Sequence, residues 1–232
     1  MSSFENFKTF VSSRASSEIS KKFMEYAFKA VTGDMESLVQ LLQLIKDSPS
    51  FYKNVVFTEN LLMFLDGVCL NEEDYKGLAE TIANGNQEEN ARRILDCIDS
   101  VETKSKVKYL VNATRSTIKW HRGLGGLSKN EYFRMIYILK NILLEDIEFI
   151  IEKLKMKELI TCESCVALYN LGLMYYTTIE DNTMYAFSSL AYRFYEEVIK
   201  YDDENLPKTL TPKEFPEEFQ LPSNVVYFSE ID

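Results

Sequence analysis

Apolar positions recur at steps of three and four residues from Phe4 to about Leu154, and the glycines lie mostly between the periodic segments. This spacing places apolar side chains along one face of an α-helix, so this part of the chain is predicted to be helical. The segments are short and closely spaced, which is typical of a multi-helix bundle. The predicted helices are Ser20–Val31, a helix that follows an N-cap at Asp34 and ends before Ser48, Thr58–Val68, Asn71–Ala83 with Asn71 as N-cap, Gln87–Ser100 and Glu102–His121.

A glycine-rich segment, Arg122–Ser128, interrupts the helical pattern and holds three of the chain's eight glycines. Glycine adopts backbone conformations that other residues avoid, so this segment is predicted to be a hinge or a domain boundary. Beyond it, Ser128 is predicted to cap a long helix. Two further helices are predicted at Glu145–Lys155 and Thr161–Leu171, the second with Thr161 as its N-cap.

The apolar period changes to two residues at Leu173–Ile179, where β-forming residues dominate. A turn at Glu180–Thr183 and a second β-rich stretch at Met184–Phe187 follow, and together they predict a β-hairpin. A last helix is predicted to begin after an N-cap at Ser188 or Ser189 and to continue to about Lys200.

The order helix, helix, helix, hairpin, helix between Ser128 and Tyr201 resembles that of winged-helix domains. The residues that carry the resemblance are Leu-Tyr-Asn-Leu-Gly-Leu-Met-Tyr-Tyr at 168–176 and Tyr-Ala-Phe-Ser-Ser-Leu-Ala-Tyr-Arg-Phe at 185–194. In that superfamily a helix ends in a Leu-Gly-Leu-like turn, a strand leads into the wing, and the second strand runs into the final helix. The resemblance implies a fold and no activity. The abundance of Lys, Asn and Tyr, with a helical front half, also resembles helical proteins of AT-rich bacteria and their prophages.

The last part of the chain is acidic and rich in proline. Residues 201–232 carry eight acids and two lysines, a net −6 within a total of −10, and four of the five prolines. The predicted fold class is therefore mainly α, with a helical bundle over 1–122, a winged-helix-like domain with one β-hairpin over 128–203, and an extended acidic tail over 204–232. The apolar run Asn224–Phe228 within the tail is expected to dock on the body of the protein, or alternatively on a partner.

Charge and composition exclude several functional classes. A sequence pI of about 4.8 argues against a protein that coats nucleic acid or anionic lipid over its whole surface. The N-terminus lacks the features of a signal peptide, and no apolar stretch reaches the roughly 18 residues of a membrane span. We therefore expect a cytoplasmic protein without a membrane helix and with its four cysteines reduced. The sequence lacks the common nucleotide-binding and metalloprotease motifs, and no cofactor is expected.

One region of the chain is basic although the chain as a whole is acidic. Nine Lys and Arg residues but a single acid, Glu131, lie between Lys104 and Lys140. At about 100° per residue, five of these cations fall within an arc of about 60° on one predicted helix. This basic ridge consists of Lys104, Lys108, Arg115, Lys119 and Arg122. It is predicted to bind phosphate groups or an acidic partner, unless carboxylates of the same protein, including the tail, neutralise it.

Arg115 and His121, near the end of the same predicted helix, resemble the arginine–histidine motif of HEPN-type ribonucleases. In that family the histidine is the acid–base group and the arginine stabilises phosphate, and the resemblance would assign those roles here. A six-residue step, however, separates the two side chains by about 120° around an ideal helix. A hydrogen-bonded histidine at the end of the helix, beside Gly123, is the favoured interpretation.

Cys162 and Cys165 have the spacing of many metal and redox motifs. A zinc site would need two further ligands, and His121 is the only histidine of the chain. A redox role would need a thioredoxin-like sheet, which the sequence pattern does not predict. Neither a metal site nor a redox role is therefore predicted, and the pair is expected within the helix Thr161–Leu171, with Cys165 on its apolar face.

The functional expectation rests on the helix Thr161–Leu171, which contains Glu163 and no Lys or Arg. Base readout in DNA usually depends on Arg, Lys, Asn or Gln in a positively charged contact zone, so docking on a protein is favoured. We expect a non-enzymatic binding or regulatory protein that acts through protein–protein contacts, in a prophage or phage-defence setting. A homodimer is compatible with this expectation. The alternatives are a nucleic-acid-binding regulator that uses the basic ridge, and a HEPN-like ribonuclease that uses Arg115 and His121.

Overall fold

The computed structural model describes residues 18–32, 34–47, 56–68, 72–83, 86–101, 103–156, 159–179 and 182–201. Predictions for the acidic tail over 204–232, the apolar run Asn224–Phe228, the N-cap at Asn71 and the start of the hairpin turn at Glu180 lie outside these residues. Helices hold 76% of the described residues, and the fold is mainly α, as predicted.

Ten α-helices and two strands make up the described chain. Their bounds are α1 Glu18–Val31, α2 Met35–Asp47, α3 Val56–Val68, α4 Glu72–Ala83, α5 Gln87–Ser100, α6 Lys104–His121, α7 Lys129–Asn141, α8 Leu144–Lys153, α9 Glu163–Asn170, β1 Met174–Ile179, β2 Asn182–Phe187 and α10 Ser189–Phe194. A 3₁₀ turn at Leu154–Met156 extends α8, and a π-helical turn at Tyr195–Ile199 extends α10. Among the described helices, none combines the length and apolar character that crossing a bilayer requires.

Contacts divide the chain into two compact units, one of which includes Met1–Asp99. The Asp34 carboxylate caps α2, because it accepts hydrogen bonds from the Ser37 backbone N–H at 3.2 Å and from the Ser37 hydroxyl at 2.8 Å. Two buried asparagines tie helices together through backbone carbonyls: Asn60 donates to Ile98 at 3.3 Å and Asn90 donates to Ile82 at 3.0 Å. The core of this unit is aliphatic and aromatic, and its fully buried members include Leu41, Leu61, Phe64, Leu78, Ile82 and Ile94.

The second unit covers Ser100–Asn205 and is built around α6. The buried face of α6 carries apolar side chains together with small polar ones that are hydrogen-bonded. Thr114 shares a hydrogen bond of 2.9 Å with the hydroxyl of Tyr132 on α7, and the Asn112 amide donates to the Val198 carbonyl at 2.8 Å. Thus α6 is joined to α7 and to the turn that extends α10.

The observed unit differs from the predicted domains in where it begins. The sequence pattern assigned α6 to an N-terminal bundle over 1–122 and started the next domain at 128. The contacts instead place α6 with the elements that follow it, in a unit that begins at Ser100. The polar partners of α6 in the turn that extends α10, Glu197 and Val198, lie about 80 residues downstream in the sequence.

The hairpin is antiparallel and runs in register from Met174 opposite Phe187 to Ile179 opposite Asn182. Strand β2 therefore begins two residues before the predicted Met184. An isolated antiparallel bridge joins Ile160 to Tyr185 on β2, through two backbone hydrogen bonds of 2.8 Å. The order of elements from Ser128 is the predicted one, with this short bridge added before α9.

Three of the predicted N-caps are confirmed, and one is wrong. Besides Asp34, Ser128 forms a full capping box with Glu131, and the Ser188 side chain accepts from the Ala191 N–H. The N-cap of α9 is Cys162 and not Thr161. The Thr161 hydroxyl lies instead against the hairpin, 3.4 Å from the Thr183 carbonyl and 3.1 Å from the Met184 sulfur.

Candidate functional site

The basic ridge lies along α6, and its exposure varies along the helix. Thr103 caps α6 through its side chain, which accepts from the Lys106 N–H. Lys104 and Lys108 are exposed, whereas the other three members of the ridge, Arg115, Lys119 and Arg122, are half-buried. Lys106, which the ridge excludes, is only 6% exposed. The part of the ridge that is open to solvent is therefore its N-terminal end.

His121 is half-buried at the C-terminal end of α6. Its ring packs edge-on against Trp120, with ring centroids 5.2 Å apart. Its Nε2 atom is buried and makes no hydrogen bond within the described part of the chain. The expectation of a hydrogen-bonded histidine is therefore wrong for this nitrogen. A buried Nε2 also cannot reach an external RNA without a rearrangement, so the geometry gives the ribonuclease alternative no support.

Arg115 lies on the same helix and is half-buried. The residue after it, Ser116, is fully buried, and its hydroxyl donates to a Glu197 carboxylate oxygen at 2.6 Å. The Ser116 oxygen also accepts the Leu127 N–H at 3.0 Å. This end of α6 thus holds polar groups that are committed to contacts within the unit.

Ser116 belongs to a polar group of four side chains, which we call the Arg193 cluster: Ser116, Glu131, Arg193 and Glu197. The Arg193 guanidinium donates to the Glu197 carboxylate at 2.6 Å and to the Glu131 carboxylate at 3.3 Å. Its remaining terminal nitrogen donates to the Gly126 carbonyl. The cluster therefore connects α6, the glycine segment, α7 and α10.

Glu131 is held as a carboxylate by this arrangement. Burial raises the pKa of the Glu131 carboxyl, but the hydrogen bonds from Ser128 and the charge of Arg193 outweigh that effect and leave the pKa below its ordinary value. Its Oε2 atom accepts from the Ser128 N–H at 2.8 Å and from the Ser128 hydroxyl at 2.7 Å. The only acid of the basic region is thus committed to the fold.

The glycine segment is fixed at its C-terminal half by the same contacts. Gly126 has a φ of +103°, and a Cβ atom there would lie 2.1 Å from the Ser116 carbonyl oxygen. Gly125 also has a positive φ, of +83°, but a Cβ atom there would meet nothing within 4 Å. These contacts argue against a hinge at Gly126, because the backbone of α6 and the side chain of Arg193 enclose it.

A different kind of surface lies on α9 and the hairpin. One tyrosine ring contacts two others there, and we call the three the tyrosine cluster: Tyr169, Tyr176 and Tyr185. The Tyr169 ring packs edge-on against Tyr176 at 5.4 Å and against Tyr185 at 6.3 Å. Tyr176 and Tyr185 are also direct cross-strand partners. Rings in such contacts are held in place before any partner arrives.

The alternation of the strands explains why these rings reach the surface. Met174 and Phe187 form the preceding pair on the same face of the hairpin, and both are buried. Side chains two residues apart on a strand share a face, so the next pair, Tyr176 and Tyr185, continues that face from the core outward. Tyr176 is 55% exposed and Tyr169 is 41% exposed.

The tyrosine cluster lies on a surface with almost no charge. Residues 159–179 and 182–187 contain no Lys or Arg, and Glu163 is their only acid. Further large apolar side chains are exposed on the same elements, namely Val166 on α9 and Tyr175 on β1. These elements offer aromatic area and hydroxyl groups and carry no cation of their own, although a terminal nitrogen of Arg134 on α7 lies beside Gly172, between α9 and β1.

The tyrosine cluster was not predicted from the sequence. A turn over Glu180–Thr183 would place Tyr176 opposite Phe187, whereas β2 begins at Asn182 and places it opposite Tyr185. If the turn had been predicted two residues shorter, the register of the hairpin would have placed the two tyrosines directly opposite each other.

Comparison of the chain with models of protein families, with curated proteins and with solved structures found no match.

Proposed function

We propose that this protein is a non-enzymatic binding or regulatory protein, and that the tyrosine cluster is the centre of its contact surface for another protein. The observation that carries the proposal is that Tyr169 and Tyr176 are exposed and yet pack edge-on against each other, with the half-buried Tyr185 against Tyr169. Tyrosine is enriched at protein interfaces because it offers a large contact area, a hydroxyl group and a small loss of conformational entropy.

The charge of this surface defines the chemistry of the partner. Because residues 159–179 and 182–187 carry no Lys or Arg, the elements that form this surface supply no cation of their own to nucleic acid or another polyanion. It fits a protein surface that offers apolar side chains and acceptors for the tyrosine hydroxyls. Binding at such a surface is expected to vary little with salt, since long-range charge contributes little to it.

The experiment is a comparison of three baits in extracts of the cells that express the protein. The first is the wild type, and the second carries Tyr169→Gln and Tyr176→Thr, which keep a helix former in α9 and a β former in β1. The third carries Tyr137→Gln, which removes an exposed tyrosine of α7 outside the tyrosine cluster. Captured proteins are quantified by mass spectrometry after washing at high salt.

The proposal expects a defined protein to be retained by the wild type and by Tyr137→Gln, and to fall at least about tenfold with the double variant. Purified components must then reproduce the difference in direct binding. If every retained protein is captured equally by all three baits, the tyrosine cluster is not the contact surface.

A second candidate function is nucleic-acid binding, and the exposed lysines at the start of α6 favour it. Lys104 and Lys108 are exposed and lie one helical turn apart on α6. The test variant carries Lys104→Glu and Lys108→Glu. The control variant carries Lys22→Glu and Lys76→Glu, which change two exposed lysines of the other unit and give the same net charge. Specific use of the ridge requires that only the first pair weakens salt-sensitive binding to labelled RNA or duplex DNA.

A further inference from the structure

Two cysteine thiols meet at the start of α9. Cys162 is the N-cap of the helix and Cys165 lies in its first turn, and their sulfur atoms are 2.7 Å apart. The Cys165 N–H donates to the Cys162 carbonyl at 3.2 Å, which closes the backbone into one tight turn. Such a turn brings the two Cα atoms into the range of roughly 4.4–6.8 Å that a disulfide spans.

Neither helix capping nor metal binding accounts for this pair. An N-cap is normally Ser, Thr, Asp or Asn, and the Cys162 side chain makes no capping hydrogen bond within the described chain. The described residues contain no group of three or more His, Cys, Asp and Glu side chains placed to hold a metal ion. Cys162 therefore occupies a position where its sulfur serves neither the helix nor a metal in this part of the chain.

The two thiols differ in how they can be reached. Cys162 is half-buried, whereas Cys165 is completely buried. Burial, together with the hydrogen bond and the charge of Cys162, raises the pKa of the Cys165 thiol to about 12. Cys165 accordingly keeps its proton at neutral pH and is the inner thiol, and Cys162 is the one that an external molecule meets first.

The segment that carries the pair is anchored on both sides. Ile160, two residues before Cys162, is bridged to Tyr185 by two backbone hydrogen bonds of 2.8 Å. At the other end of α9, the Tyr169 ring packs against the hairpin. The sulfur atoms are thus held close together by the surrounding fold and need no large movement to bond.

We propose that Cys162 and Cys165 form a redox-active dithiol that exchanges with external disulfides of the glutathione type. This inference does not depend on the proposed function. In the first step the Cys162 thiolate attacks one sulfur of the external disulfide, so that a mixed disulfide forms and one thiolate leaves and is protonated. In the second step Cys165 gives its proton to solvent and attacks the Cys162 sulfur, which forms the Cys162–Cys165 disulfide and releases the second thiol. Two electrons and two protons pass from the protein dithiol to the external disulfide, which becomes two thiols.

The experiment equilibrates the full-length protein in buffers of varied ratio of reduced to oxidised glutathione. Thiols are then trapped by alkylation, and the peptide that contains both residues is weighed by mass spectrometry. We expect this peptide to lose two hydrogens reversibly as the disulfide forms. The proportion of oxidised glutathione required should be about tenfold lower than the proportion that modifies Cys97, a buried thiol of the other unit. Dithiothreitol should restore the dithiol.

Two variants separate the roles of the thiols. Cys165→Ala removes the inner thiol, so glutathione should remain attached to Cys162. Cys162→Ser places a good capping residue at the N-cap and should abolish both the adduct and the disulfide. Circular dichroism checks that each variant is folded, and the wild-type titration does not depend on either variant. A peptide that remains a dithiol at every ratio, oxidation of Cys97 together with the pair, or a folded Cys165→Ala without an adduct would overturn the proposal.

Discussion

The Arg193 cluster and the tyrosine cluster lie in the same unit but differ in how far their side chains are engaged by the rest of that unit. In the Arg193 cluster the charged side chains are hydrogen-bonded to groups of the same unit: the guanidinium donates to two carboxylates and to a backbone carbonyl. In the tyrosine cluster the Tyr169 ring packs against the other two, but Tyr169 and Tyr176 stay exposed, on elements that carry no Lys or Arg. The difference indicates that the first group holds the fold together and that the second is available to a partner.

The charge of a region is therefore a poor guide to its use in this protein. Between Lys104 and Lys140 the sequence is strongly basic, yet Glu131 in that region is bound to Arg193, and Lys129 lies over the Phe133 ring at 5.9 Å from its centroid. The segment around α9, by contrast, carries Glu163 as its single charged residue. Four changes, taken in order of expected effect on stability, test this contrast.

The largest effect is expected from Gly126→Ala. The new Cβ atom would lie 2.1 Å from the Ser116 carbonyl oxygen, and the φ of +103° is unfavourable for alanine. The free energy of unfolding should fall by about 3 kcal/mol, as measured by denaturant titration. Gly125→Ala is the matched control, because it adds the same atom in open space and should cost only about 1 kcal/mol. Equal losses in the two variants would show that α6 does not enclose the glycine segment.

Arg193→Met comes next, because it keeps the length of the side chain and removes its charge. Two carboxylates and the Gly126 carbonyl would each lose the hydrogen bond from Arg193, at a cost of about 2 kcal/mol in the free energy of unfolding. Arg134→Met, on an exposed arginine of α7, should cost much less in the same titration. If the Arg134 and Arg193 variants are equally stable, the Arg193 cluster does not stabilise the unit.

Removal of the tyrosine cluster should change stability less. Tyr169→Gln with Tyr176→Thr deletes ring contacts that are partly exposed, so a loss of about 1 kcal/mol is expected. Thermal unfolding of the double variant and of Tyr137→Gln would measure the difference. A loss as large as that of Gly126→Ala would mean that the rings serve the core and are not reserved for a partner.

The smallest effect concerns pH. Because the pKa of Glu131 is depressed in the fold, its carboxylate contributes stability above its ordinary value of 4.5, and this contribution is lost as the pH falls through the lower pKa of the folded state. Glu131→Gln keeps a side chain that suits the capping box and removes the titration. The wild type should exceed the variant in stability at neutral pH by less than about 1 kcal/mol, since the site is partly exposed. That excess should shrink below pH 4.5, and an excess that grows there would contradict the assignment.

Local signals in the sequence predicted most of the elements, whereas contacts between distant segments were not predictable. The caps at Asp34, Ser128 and Ser188 were identified because each bonds within a few residues of itself. Thr161 was misassigned because its hydroxyl finds a partner on the hairpin, about 20 residues away. The Arg193 cluster joins residues more than 60 positions apart, and the pattern of apolar residues within α6 or α10 does not indicate such a contact.

The tyrosine cluster was missed through a smaller error in the predicted hairpin. Strand β1 was predicted closely, but the start of β2 was placed two residues late. Because the register of a hairpin decides which side chains face each other, this shift was enough to hide the pair Tyr176 and Tyr185.

The most direct test of the account is the affinity of a purified partner for three forms of the full-length protein, measured at low and at high salt. The forms are the wild type, Tyr169→Gln with Tyr176→Thr, and Lys104→Glu with Lys108→Glu. The account predicts that only the tyrosine variant loses affinity, by at least about tenfold, and that the affinity of the wild type changes little with salt. Loss of binding in the lysine variant or at high salt, with the tyrosine variant unaffected, would contradict it and would place the functional surface on the basic ridge.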